Sequence, residues 1–191
     1  MTSKAAIRSI AREQRRDFVR SMSPGDRRLC FSAVPAPMAE LIWPATVVTG
    51  YFAYDDEADP SRLLALAQDR QAVIAMPYFA TIASAPIFRR WSAEDPIEPG
   101  PFGLGQPLAS AEPLTPEVII APMIAFTRSG GRLGQGGGYF DRAFAEWPEA
   151  FRLGLGWSMQ EVAALPVDPW DMPLDAILTE REWIASNRGQ P

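Results

Sequence analysis

Histidine is absent from this 191-residue sequence. That removes the commonest general base near neutral pH and the commonest ligand for zinc. Catalysis must then rest on carboxylates, tyrosine, lysine, arginine, backbone amides or a hard, oxygen-bound metal. Cysteine is nearly absent as well. Cys30 stands alone and forms no internal disulfide, which fits a reducing compartment and reads as a buried small hydrophobe rather than a nucleophile. No apolar run approaches ~18 residues, so no transmembrane helix is expected. The basic N-terminal segment is followed by no apolar stretch of the secretory kind. A cytoplasmic protein with no membrane partner is expected. Lysine occurs once, at Lys4, and every other strong cation is an arginine.

What is present reads as one globular domain over residues 1–191. Apolar residues make up 47 % and charged residues 21 %, close to the globular average, so general disorder is excluded. The charge is unevenly placed. Residues 1–28 hold Lys4, Arg8, Arg12, Arg15, Arg16, Arg20, Arg27 and Arg28 against Glu13, Asp17 and Asp26, a local +5 on a chain of net −5. A basic end on an acidic body implies an anionic ligand of limited size, and a monomer that binds no nucleic acid is expected.

Local pattern sets the elements. Ser3 caps a helix running to about Ser21, with Lys4, Arg8 and Arg12 on one face and Ile7, Ile10, Ala11 and Phe18 on the packing side. Ser23-Pro24 restarts a helix, which Pro35 and Pro37 break or bend. Val47–Ala53 and Ala72–Met76 read as strands joined by a helix over Pro60–Arg70, a βαβ unit with parallel strands. Ile87–Trp91 is a further strand. Residues 94–117 hold six prolines and read as an ordered surface loop of the kind that carries function. Val118–Ala121 is an apolar strand leading to a glycine-rich loop. A helix over Tyr139–Trp147 follows. Strands over Arg152–Trp157 and Ala176–Thr179, joined by a short helix at Met159–Leu165, complete a three-layer α/β/α fold with a mostly parallel sheet.

The run from Gly130 through Arg142 carries the most chemistry. Glycines let a loop present consecutive backbone N–H groups to an anion, and the helix start that follows adds unpaired N–H groups and partial positive charge. Arg132 adds a bidentate donor, and Asp141 an oxygen ligand for Mg²⁺. Read alone, the run is equally a tight turn. It is no Walker A loop, because no Gly-Lys-Ser/Thr follows. A dinucleotide fingerprint would need an early βαβ unit ending in an acid, which the late position of the loop does not offer.

Arg132-Leu133-Gly134-Gln135-Gly136-Gly137-Gly138-Tyr139-Phe140-Asp141, preceded by Ile119-Ile120-Ala121-Pro122 and Phe126, resembles the signature of the 5-formyltetrahydrofolate cyclo-ligases. Three further segments agree in order and spacing. They are Lys4-x-x-x-Arg8, Tyr51-Phe52-Ala53-Tyr54-Asp55-Asp56-Glu57, and Pro166-x-x-x-Trp170-Asp171-x-x-x-Asp175. The resemblance covers nearly the whole chain, and the fold it implies is also that of sugar-phosphate isomerases and CoA transferases.

The resemblance implies an enzyme that uses ATP and Mg²⁺ to turn 5-formyltetrahydrofolate into 5,10-methenyltetrahydrofolate, or a non-catalytic nucleotide- and folate-binding relative. It places ATP on Lys4, Arg8 and the run Arg132, Leu133, Gly134, Gln135, Gly136, Gly137, Gly138, Tyr139 and Phe140, with Lys4, Arg8 and Arg132 catalytic. Folate falls on Phe52, Glu57 and Gln135 to Tyr139, and Mg²⁺ on Asp141 and Asp171. The chain departs from the family pattern at Gln135, where an aromatic or basic residue is frequent, at Phe140 in place of Tyr, and at Trp170 in place of His.

Overall fold

A computed structural model describes residues 3–42, 44–81 and 83–186. Helix α1 (Lys4–Ser21) starts at Ser3, whose hydroxyl accepts from the Ala6 N–H at 3.2 Å. Its buried stripe is Ala11, Arg15 and Val19, whereas Ile10 is exposed, contrary to the apolar side read from sequence. Helix α2 (Pro24–Leu29) has Ser23 as its cap and proline at its first position, where the missing N–H costs nothing. A separate helix α3 (Ala36–Ile42) follows, carrying Pro37 in its first turn. Cys30 is half-buried rather than buried, its Sγ–H donating to the Asp26 carbonyl at 3.3 Å.

The sheet has seven strands: β1 (Val47–Thr49), β2 (Val73–Tyr78), β3 (Ile87–Arg90), β6 (Val118–Pro122), β9 (Phe151–Leu155), β10 (Ala176–Leu178) and β11 (Trp183–Ala185). Their order is β11-β10-β9-β6-β1-β2-β3. The five interior strands run parallel, and the two edge strands, β3 and β11, pair antiparallel with β2 and β10. The α/β class with a mostly parallel sheet is therefore the observed one. Helix α4 (Ser61–Gln68) makes the crossover from β1 to β2.

Side chains of the interior strands alternate between two cores. Val48, Ile74, Met76, Val118, Ile120, Leu153 and Leu155 join Val19, Met38, Leu63, Leu64 and Trp157 on one face. Ala75, Ile119, Ala121 and Ile177 join Phe88, Ala143 and Phe144 on the other, where helix α5 (Tyr139–Glu146) packs. Strands buried on both faces read as near-continuous apolar runs, which is why Val118–Ala121 is so evident in the sequence.

Several elements differ from the sequence reading. β1 is shorter than Val47–Ala53 because the chain leaves the sheet at Gly50 towards Tyr51 and Phe52. Met159–Leu165 is not a helix; only Ser158–Gln160 makes a 3-10 turn, and Pro166 stops anything longer. Strand β11, not foreseen, lies at the edge where three residues suffice to pair. The proline-rich 94–117 segment contains a hairpin of β4 (Ile97–Pro99) and β5 (Gly105–Pro107). Gln106 in β5 is buried, and its Oε1 accepts from the Phe79 N–H at 3.1 Å.

Within the glycine-rich region, β7 (Ala125–Phe126) and β8 (Arg132–Leu133) form a small hairpin. It leads into the loop Gly134–Gly138. The order reverses at β1, with β2 on one side and β6 on the other. Open parallel sheets bind ligands outside the carboxyl ends of strands at such a point.

Candidate active site

A cleft of about 830 Å³ opens at the carboxyl ends of β1, β2 and β6. Every residue singled out from sequence lines it: Lys4 and Arg8 from α1, Phe52 and Glu57 after β1, Arg132 to Asp141 from β8, the loop and α5, and Asp171 from the C-terminal segment. It also takes in Arg12, Arg15, Phe79, Leu104, Asp168 and Trp170, which sequence reading did not assign to it. Hairpin β4–β5 supplies a wall through Pro101, Leu104 and Gly105.

At one end, Lys4 Nζ lies 2.8 Å from Asp168 Oδ2 and also contacts Asp171 Oδ2. Asp171 Oδ2 accepts from the Asp168 N–H at 2.7 Å as well. Partial burial pulls the Lys4 pKa down, but the hydrogen bonds and charges of the two aspartates outweigh it and leave it raised. Arg8 Nε donates to the Gly134 carbonyl at 2.8 Å, bracing the base of the glycine loop against α1.

Two loop glycines have positive φ, Gly136 at 111° and Gly138 at 67°, a region that L side chains rarely enter. Gly138 immediately precedes α5, so this backbone turn sets the direction of the helix. Gly137 is different. A Cβ there would run into the ring of Tyr139. Tyr139 packs edge-on to Phe79 with centroids 4.7 Å apart, and burial raises its hydroxyl pKa.

Arg132 faces inward. Its side chain is only 3 % exposed, with Nη2 at 2.9 Å from Asp141 Oδ2 and Nη1 donating to the Pro122 carbonyl at 3.3 Å. Its guanidinium also lies 5.8 Å and 5.5 Å from the Phe140 and Phe144 ring centroids. Asp141, in the first turn of α5, thus serves the helix N-terminus and a buried cation together.

At the other end, Glu57 is buried although Asp55 and Asp59 beside it are exposed. Its Oε2 accepts from the Tyr54 N–H at 3.1 Å, and its Oε1 from Gln135 Nε2 at 3.0 Å. Arg15 Nη1 stands 3.9 Å from the same Oε1. Gln135 Oε1 in turn accepts from Arg12 Nη2 at 2.8 Å. Phe52 packs edge-on to Trp91, centroids 5.1 Å apart, at the base of this end.

The sequence contained a signal for Arg15. Residues 11, 15 and 19 repeat every four positions on α1, so a lone arginine between Ala11 and Val19 falls in the buried stripe. The run of surface arginines around it masked this. Asp168 carries no such signal, because only the aspartates at 171 and 175 belong to the family element.

The arrangement has two halves. One offers cations, loop amides and carboxylates to a polyanion; the other offers a carboxylate beside aromatic walls to a flat, N–H-rich ring. The family model of the 5-formyltetrahydrofolate cyclo-ligase family matches residues 1–180. The 5-formyltetrahydrofolate cyclo-ligase of Haemophilus influenzae is 28 % identical over 135 residues, 67 % of this chain and 72 % of that one. That of Escherichia coli K12 is 42 % identical over 65 residues, 33 % of this chain and 36 % of that one. The NMR structure of Aquifex aeolicus 5,10-methenyltetrahydrofolate synthetase superposes with a TM-score of 0.77 at 25 % identity, covering 98 % of this chain and 95 % of that one. A Mycoplasma pneumoniae 5,10-methenyltetrahydrofolate synthetase shares the fold, with a TM-score of 0.69 at 18 % identity over 94 % of this chain and 99 % of that one. Since the match spans both halves of the cleft, from Lys4 to Asp171, this chain belongs to the 5-formyltetrahydrofolate cyclo-ligase family.

Proposed function

We propose that the chain converts 5-formyltetrahydrofolate and MgATP to 5,10-methenyltetrahydrofolate, ADP and phosphate in this cleft. The observation that carries the reading is the joining of the two halves. A cation-rich end and an aromatic-walled end lie in one cavity, bridged by Gln135 between Arg12 and Glu57.

In the reaction, the formyl oxygen attacks the γ-phosphorus of ATP, and ADP leaves. The N10 nitrogen then adds to the activated formyl carbon and gives up its proton. The C–O bond breaks, phosphate departs, and the five-membered ring is closed. Phosphoryl transfer asks the protein chiefly for positioning and charge stabilisation. It requires no histidine, in keeping with the composition.

Lys4, Arg8 and the N–H groups of Gly134–Tyr139 hold the phosphates. Lys4 exchanges its aspartate partners for phosphate oxygens as ATP enters. Arg132 acts through Asp141, fixing that carboxylate, since a direct phosphate contact would forfeit the ion pair it already makes. Glu57 accepts the paired N–H groups of the pterin edge, and Phe52 and Tyr139 wall the ring.

Asp141 and Asp171 are the residues that would hold Mg²⁺. Both line the cleft, and their hard oxygen donors suit an ion commonly bound by one or two carboxylates plus substrate phosphates. Among the described residues no cluster of three or more acidic, cysteine or histidine side chains that could hold a metal ion forms. An ion held there would supply charge neutralisation to the transferring phosphoryl group.

The test is turnover of 5-formyltetrahydrofolate, followed by methenyl absorbance with ATP or Mg²⁺ withheld in turn. Product formed only when both are present supports the reading, and product formed without ATP contradicts it.

A further inference from the structure

Arg15 has no adequate structural explanation in the packing around it. It lies in the buried stripe of α1 and is 5 % exposed. Its Nε and Nη1 meet no hydrogen-bond acceptor among the described residues. The nearest carboxylate oxygen, Glu57 Oε1, is 3.9 Å away, beyond hydrogen-bonding range. Glu57 spends its own oxygens on Tyr54 and Gln135 instead. A buried guanidinium with unsatisfied donors is unfavourable, and an apolar residue would fill the stripe between Ala11 and Val19 at less cost. Yet Arg15 lines the cleft beside Tyr51 and Glu57.

The chemistry of a 2-amino-4-oxopteridine supplies a reason for it. Along one edge this ring presents the 2-amino N–H, then the N3–H, then the 4-oxo oxygen: two donors followed by an acceptor. A carboxylate covers the two donors and leaves the acceptor needing a donor fixed at its side. We propose that Arg15 is a further substrate-recognition residue, its guanidinium donating to the 4-oxo oxygen next to the N–H pair held by Glu57. The inference rests on the folate reading above and deepens it. A planar, permanently charged guanidinium suits the task, because it keeps donors in the ring plane after burial.

A specificity follows. A 4-aminopteridine puts a donor where the 4-oxo oxygen stood, so it meets Arg15 donor to donor, and its N3 carries no proton, so Glu57 loses one partner as well. Sites built to bond one polar group reject an analogue that leaves their own groups unpaired. Glu57 therefore contributes to the preference through N3, and the share that belongs to Arg15 is the part that its replacement removes.

The experiment measures binding of 5-formyltetrahydrofolate and its 4-amino-4-deoxy analogue by titration calorimetry, to the parent and to Arg15→Met and Arg15→Lys. The parent is expected to prefer the 4-oxo ligand by about 10- to 100-fold, the range for a hydrogen bond to a charged group. Arg15→Met is expected to lose 4-oxo affinity by about 10-fold or more, to lose no 4-amino affinity, and so to narrow the preference while the ATP KM stays unchanged. Arg15→Lys, which keeps the charge, is expected to retain part of the preference, and it carries the test if thermal melts show Arg15→Met unfolded. A preference unchanged from the parent's in both variants overturns the inference and leaves the folate reading standing. A parent that binds neither ligand overturns both.

Discussion

Gln135 Nε2 donates to Glu57 Oε1 at 3.0 Å, tying the glycine loop to the segment after β1 across 78 residues of chain. On the proposed function, the bond joins the end that takes nucleotide to the end that takes folate, and it occupies the oxygen that the pterin edge would use. Substrate and Gln135 therefore compete for Glu57. Gln135→Ala is expected to lower the folate KM and to cost about 1–2 kcal/mol of stability, since the bond is charge-assisted and partly buried. Steady-state kinetics and urea melts check this. A raised folate KM would mean that Gln135 itself binds substrate, as its place in the family loop implies.

Glu57→Gln removes the charge and keeps the shape. The folate KM is expected to rise about 10- to 100-fold with the ATP KM unchanged, because Glu57 lies at the end proposed to hold the pterin. Equal loss of both ligands would argue that Glu57 only anchors the fold through Tyr54.

Lys4 is clasped by Asp168 and Asp171, which raise its pKa above the ordinary 10.5 despite partial burial. A raised lysine pKa gives stability that is fully present below 10.5 and lost as pH climbs through the higher folded-state value. The stability difference between the parent and Lys4→Met is therefore expected to be flat from about pH 6 to 9 and to shrink only in strong alkali. Denaturant midpoints across pH test it; a difference that titrates near neutrality would contradict the clasp. At neutral pH, Lys4→Ala is expected to raise the ATP KM about 10- to 100-fold with the fold intact.

Gly137→Val sets a stiff side chain against the Tyr139 ring. Activity is expected to fall sharply with little change in melting temperature, because Gly137 is exposed and the clash lies within the loop. Asp141→Asn is expected to lose both activity and stability, by about 1–3 kcal/mol, because Arg132 keeps its burial and loses a charged partner. Excess Mg²⁺ is expected to recover part of the activity and none of the stability. Normal melts and parent turnover in both variants would remove the loop from the ATP site.

Strong local patterns made much of this legible in the sequence. Ser3 and Ser23 mark helix starts by their hydroxyls, Val118–Ala121 marks a doubly buried strand, and the Gly134–Gly138 run marks the turn that leads into α5. Non-local relations were not legible. The inward turn of Arg132 depends on Asp141 and Pro122 converging behind the loop. Burial of Glu57 among exposed acids depends on α1 crossing over it, which no local pattern announces. Strand β11 and hairpin β4–β5 are short and stabilised by their partners rather than by propensity, and the prolines of 94–117 hid a hairpin that reaches the cleft wall.

The most direct test of the account is a single absorbance experiment on the parent protein. 5-Formyltetrahydrofolate is incubated with ATP and Mg²⁺, and the methenyl chromophore and released phosphate are followed together. The account predicts one phosphate released for each methenyl group formed, with no product when Mg²⁺ is chelated. Methenyl product without phosphate release, or ATP hydrolysis with no methenyl product, would contradict it.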